Sequence, residues 1–146
     1  MHEAADSELM GDTVMAAKDA LLAHPANTGN QIGVLGFSMG AAWSLIAATH
    51  APEQFAAVVA FYGVGEAAFS KMKARFLGHY SDVDEWETID WVRLTESAMK
   101  SAGVDATFHI YPGLGHWFVE EDRPEYDPPA AQLAWQRTFD FLKENL

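Results

Sequence analysis

The chain has no cysteine. That excludes disulfides, thiolate metal sites and a thiol nucleophile, and it fits a reducing, cytoplasmic setting. Cations are scarce. Lys and Arg number 9 against 21 Asp and Glu, a formal net charge of -12. A surface this acidic argues against nucleic acid and against anionic membrane as partners. Long apolar runs are missing too. No segment approaches a membrane span, and the acidic start Met1-His2-Glu3-Ala4-Ala5-Asp6 has no apolar leader. No internal repeat or low-complexity linker divides the 146 residues, which are read as one domain, 1–146.

What is present is a regular alternation of apolar runs and helical patterns. Met10, Val14, Ala17 and Leu21 follow helical spacing, and Pro25 stops that helix. Gln31–Phe37 reads as a short buried strand and Ala41–His50 as a tightly packed helix. Phe55–Tyr62 is a second apolar run, β-branched in the middle. Val64–Lys73 fits either a short helix or a loop. Arg75–Tyr80 is a third strand, and Thr88–Ser101 a helix with Ile89, Val92 and Met99 on one face, closed by Gly103. Thr107–Tyr111 is a fourth strand, stopped by Pro112-Gly113. Asp127-Pro128-Pro129 is a helix start, followed by a buried face of Ala131, Trp135, Thr138 and Leu142. Strands that are continuous apolar runs, separated by helices, predict an α/β fold. Its sheet is mostly parallel, with right-handed crossovers and helices on both faces. In such sheets, reactive groups gather beyond the carboxyl ends of the strands.

Three chemistry-bearing residues fall there. Ser38 lies in Gly36-Phe37-Ser38-Met39-Gly40, between the first strand and its helix. That is the context of a nucleophile elbow, where small residues let strand, turn and helix approach closely; both Gly36 and Gly40 are read as sterically required. Asp84 lies in the loop after the third strand, and His116 in Tyr111-Pro112-Gly113-Leu114-Gly115-His116-Trp117-Phe118 after the fourth. The order Ser, Asp, His is that of α/β-hydrolases. A serine hydroxyl needs a neutral imidazole to take its proton, and a carboxylate fixes the imidazole tautomer. Asp82 competes with Asp84 for the acid role, and either could equally be part of a solvated loop. His79 stands near these carboxylates without any recognised ligand spacing, so no metal is expected. His109, inside a strand, reads as structural; His24 and His50 sit at helix ends.

These pieces resemble the dienelactone hydrolase family of α/β-hydrolases. The matching stretches are Ile32–Gly40, Phe61-Tyr62-Gly63, Leu77-Gly78-His79-Tyr80 through Asp84, Tyr111–Phe118, and the terminal helix from Ala130-Ala131 to Trp135. The resemblance covers nearly the whole chain. It implies Ser38 as nucleophile, Asp84 rather than Asp82 as orienting acid, and His116 as base. The Met39 amide becomes one oxyanion donor. Phe37, Tyr62, Trp117 and Phe118 are expected either to wall the substrate site or to belong to the core.

The implied activity is hydrolysis of a small-molecule ester or lactone through an acyl-enzyme, with no cofactor. Members named for dienelactone hydrolysis carry a cysteine nucleophile. Serine here points to a broader esterase and away from dienelactone itself. The arginines that hold a substrate carboxylate in the family have no clear match beyond Arg123.

Only 37 residues precede Ser38, fewer than the family's N-terminal strands require. The expectation is a partial hydrolase fold lacking those strands and the loop that supplies a second oxyanion N–H. Losing one such donor costs roughly 100- to 1000-fold in turnover. The chain is then a fragment of a longer hydrolase, a short form that pairs as a homodimer through an exposed sheet edge, or a remnant of weak activity. Two rival functions follow: an inactive association module, and a serine peptidase of the prolyl-oligopeptidase type.

Overall fold

The computed structural model describes residues 2–146, with side chains from Glu8 onward. The elements, in chain order, are α1 (His2–Ala23), β1 (Ile32–Phe37), α2 (Met39–His50), β2 (Phe55–Phe61), β3 (Arg75–Ser81), α3 (Ile89–Ser101), β4 (Ala106–Tyr111) and α4 (Pro128–Asn145). A single 3-10 turn, Phe69–Lys71, is the only regular structure in the ambiguous stretch between β2 and β3.

The four strands form one sheet in the order β1-β2-β3-β4, and every neighbouring pair is parallel. The register aligns Phe37 with Phe61, Phe61 with His79, and Ser81 with Tyr111, so the strand ends rise together toward one rim. β2 and β3 are central. β2 is buried along nearly its whole length, which is why its sequence is an unbroken apolar run. β1 is an edge: Ile32, Val34 and Leu35 are only half-buried, and among the described residues no strand pairs with its outer side.

Right-handed crossovers between successive parallel strands deliver their helices to one face. There Leu45 and Ala48 of α2 and Val92 and Met99 of α3 pack on Val58, Ala60, Phe76 and Tyr80. α4 follows the last strand and covers the opposite face, where Ala131 and Ala134 meet Val59, Phe61, Leu77 and Tyr111. The helices begin where the sequence signals them. The Thr88 hydroxyl accepts from the Trp91 amide at the start of α3, and the Asp127 carboxylate accepts from the Ala130 amide just inside α4. Gly103, at φ +80°, ends α3.

α1 corrects the sequence reading. The expected face Met10-Val14-Ala17-Leu21 is rotated: Met10 and Leu21 are exposed, and the inward side is Gly11, Val14, Met15, Lys18 and Leu22. Gly11 faces the Trp43 ring on α2, and Lys18, 5% exposed, is held by Gln54 and Asp19. A lysine facing inward and leucines facing outward defeat a periodicity argument built on apolar residues. No described helix is long and apolar enough to cross a membrane.

Candidate active site

At the rim, β1 turns sharply into α2. Ser38 takes φ +51° and ψ -121°, a backbone state that costs a non-glycine residue about 1–3 kcal/mol unless its surroundings enforce it. They do. The Ser38 amide donates to the Phe61 carbonyl at 2.9 Å. A Cβ on Gly36 would lie 2.2 Å from the Gly40 carbonyl oxygen, and one on Gly63 would lie 2.1 Å from the Ser38 carbonyl oxygen. Gly36 is therefore required by packing, as expected. Gly40 is not: beyond its own helix and chain neighbours, no described atom lies within 4 Å of where its Cβ would be. The second steric requirement falls instead on Gly63, which the sequence reading left without a role; its position directly after the β2 run was the available signal.

The three residues from separate loops meet at this turn. His116 Nε2 lies 2.9 Å from Ser38 Oγ, and His116 Nδ1 lies 2.7 Å from Asp84 Oδ2. Asp84 Oδ1 accepts from the Trp86 amide at 2.8 Å and the Glu87 amide at 2.9 Å. Burial alone would raise the Asp84 pKa. The hydrogen bond from His116 and those from the Glu87 and Trp86 amides outweigh it and hold the carboxyl below its ordinary value. Asp82 is elsewhere. It is exposed and accepts from the Gly113 amide at 2.6 Å, tying down the loop that carries His116. That loop turns through Gly113 at φ +75°, and the Ser81 hydroxyl donates to the Gly115 carbonyl at 3.1 Å.

The expected aromatic wall divides. Tyr62 is fully buried, at φ +36°, with its ring 4.8 Å from the His116 ring and its hydroxyl donating to Glu120 at 2.6 Å. Burial, then the Glu120 carboxylate, push the phenol pKa far up, so it stays protonated. Phe118 is equally buried. Both are core, since a side chain without exposed surface cannot touch a substrate. Phe37 is 37% exposed and stacks on Phe61 beside Trp135 of α4. Trp117 is half-buried, edge-on to His116 at 5.0 Å.

A cavity of about 260 Å³ opens beside His116, lined by Trp86, Trp117, Val83, Glu85, Glu125 and the imidazole itself. Trp86 and Glu125 were not singled out in the sequence. Trp86, two positions after Asp84 in the same loop, carried the available signal; Glu125 carried none.

His79 belongs to a different network. It is fully buried, with Nδ1 2.9 Å from the Tyr111 hydroxyl and Nε2 3.0 Å from the Thr138 hydroxyl. Arg137 donates to the same Tyr111 oxygen at 3.2 Å. Burial, then His109 and Arg137, lower the His79 pKa to about 3, so its ring is neutral and structural.

The sequence model described as the dienelactone hydrolase family matches residues 1–146. A protein of Methylorubrum extorquens named "Putative carboxymethylenebutenolidase" is 30% identical over 90% of this chain and 50% of its own length. A Bradyrhizobium protein named "Probable 2-oxo-3-(5-oxofuran-2-ylidene)propanoate lactonase" is 31% identical over 97% of this chain and 61% of its own. The crystal structure of a dienelactone hydrolase from Anabaena variabilis superimposes with a TM-score of 0.76 at 23% identity, over 95% of this chain and 61% of that one. The chain thus spans about half to three-fifths of the length of these relatives.

Proposed function

The chain belongs to the dienelactone hydrolase family, and from that premise we propose that it cleaves carboxylic ester or lactone bonds with Ser38 as nucleophile. The observation that carries this reading is the unbroken hydrogen-bond chain from Asp84 through His116 to Ser38. As Ser38 Oγ attacks the carbonyl carbon, His116 Nε2 takes its proton and Asp84 stabilises the imidazolium. Asp84 is suited to this because the hydrogen bonds from His116 and from the Glu87 and Trp86 amides hold its carboxyl below the ordinary value. The tetrahedral oxyanion forms beside the Met39 amide, which as the first residue of α2 has no acceptor within the helix. His116 then returns its proton to the leaving oxygen, and a water activated by the same imidazole releases the acid.

The test is hydrolysis of short p-nitrophenyl esters by the wild type and by Ser38→Ala. The variant is expected to fall to the background rate, and equal rates would exclude the mechanism.

The half-buried apolar edge of β1 favours a second reading, an association module working through that edge as a homodimer. Sedimentation of an inert but dimeric chain would support it; an active monomer would exclude it.

A further inference from the structure

The cavity beside His116 has a chemical bias that the hydrolase reading does not use. Two indoles flank it, with the Trp86 and Trp117 ring centroids 6.2 Å apart and the Trp86 centroid 6.5 Å from the imidazole. Trp86 is 71% exposed, so a face of its ring is free. Trp117 already carries a cation, the Arg123 guanidinium 4.6 Å from the ring centroid. Glu85 and Glu125 line the same cavity. Glu125 packs against Gly115, and its Oε2 is buried with no hydrogen-bond partner among the described residues.

An acceptor of this kind is costly to bury unless something donates to it or neutralises it. The surrounding field has the same sign. The loop 81–88 carries Asp82, Asp84, Glu85 and Glu87, and the loop 112–127 carries Glu120, Glu121, Asp122, Glu125 and Asp127. Against these stands one cation, Arg123, and it is committed to Glu120 at 3.3 Å and to the Trp117 ring.

We propose that this cavity is a subsite for a cationic group, formed by the Trp86 and Trp117 rings with the Glu125 carboxylate, so that the preferred ester carries an ammonium or similar cation. The specificity deepens the hydrolase reading and rests on it, while the binding of the cation does not. An aromatic face attracts a cation through its quadrupole, a nearby carboxylate adds charge pairing, and a field of one sign over a cleft concentrates the matching ligand. A substrate carboxylate would meet the opposite field, with only Arg123 to receive it.

Two measurements separate the subsite from the catalytic reading. Tryptophan fluorescence is titrated with tetramethylammonium, with neopentyl alcohol (2,2-dimethylpropan-1-ol), an uncharged molecule of similar size and shape, as comparison, on the wild type, Ser38→Ala, Glu125→Gln and Trp86→Ala. The cation is expected to bind at least tenfold more tightly than the alcohol, equally in wild type and Ser38→Ala, and about tenfold more weakly in each of the other two variants. Binding should also weaken as salt is raised. Equal affinity for cation and alcohol, or unchanged binding in both cavity variants, would overturn the proposal.

In the second measurement, acetylthiocholine is compared with its 3,3-dimethylbutyl thioester analogue. A kcat/KM ratio of about ten or more in favour of the cation supports the subsite, and a ratio near one overturns the specificity. If tetramethylammonium binds as expected and neither ester is cleaved, the subsite stands and the hydrolase reading fails.

Discussion

The two sides of the candidate site are built differently. The proposed acid–base side, from β3 and β4, is closed: Asp84 and His116 are buried, every Asp84 oxygen has a donor, and Asp82, Ser81 and Tyr62 anchor the loop around the imidazole. Among the described residues, the proposed nucleophile side, from β1 and α2, is held chiefly from β2 and the Gly63 that follows it. Its strained Ser38 is clamped by Phe61 and Gly63, while Phe37, Met39 and the space over Gly40 are open. The difference teaches that, among the described residues, position comes to Ser38 from the interior of the sheet.

Replacing the acid should break the closed side first. Asp84→Asn keeps the shape but supplies the wrong partner for Nδ1–H, and turnover of an ester should drop by roughly 10⁴-fold. Asp82→Asn, which alters only a loop tether, should cost no more than about tenfold. If the two variants lose activity equally, the assignment of the acid fails.

The clamp is the next target. Gly63→Ala forces a Cβ into the Ser38 carbonyl, and denaturant unfolding should show a loss of about 3 kcal/mol or more, the range of severe core overpacking. A neutral result would mean that the β2 side does not fix the elbow.

The His79 network beneath the sheet sharpens the account by pH. Its folded pKa of about 3 lies below the unfolded value near 6.5. The unfolded chain therefore binds the extra proton first, and the stability the neutral ring contributes is present above pH 6.5 and is lost as pH falls toward 3. Between pH 6.5 and pH 5 the loss should be about 2 kcal/mol. His109, also lowered by burial and by Arg137, acts in the same direction. His79→Gln should flatten the acid limb of a stability profile measured by urea unfolding.

The smallest effect belongs to the open flank. Gly40→Ala meets no described neighbour and adds helix propensity to the first turn of α2, so stability should rise by up to about 0.5 kcal/mol. A large loss would show that the flank is tightly packed after all.

Much of this architecture was legible in the sequence, for identifiable reasons. β2 and β3 are buried on both faces, so their residues form apolar runs that announce strands. The helix starts at Thr88 and Asp127 carry capping side chains that can be read directly. The meeting of Ser38, Asp84 and His116 at one rim was legible because each follows a strand, and parallel strands bring their ends together. Other features depend on contacts between distant segments. α1 was read on the wrong face because a buried lysine and a glycine do not register as apolar. The role of Gly63 depends on a carbonyl 25 positions away, and Glu125 reaches the cavity only through the fold of its loop.

The most direct test of the central claim is to map the adduct of a fluorophosphonate, a reagent that phosphonylates an activated serine. The account predicts one modification, on Ser38, formed at least 100-fold more slowly in His116→Gln. Modification at another residue, or an undiminished rate on Ser38 without the imidazole, would contradict it.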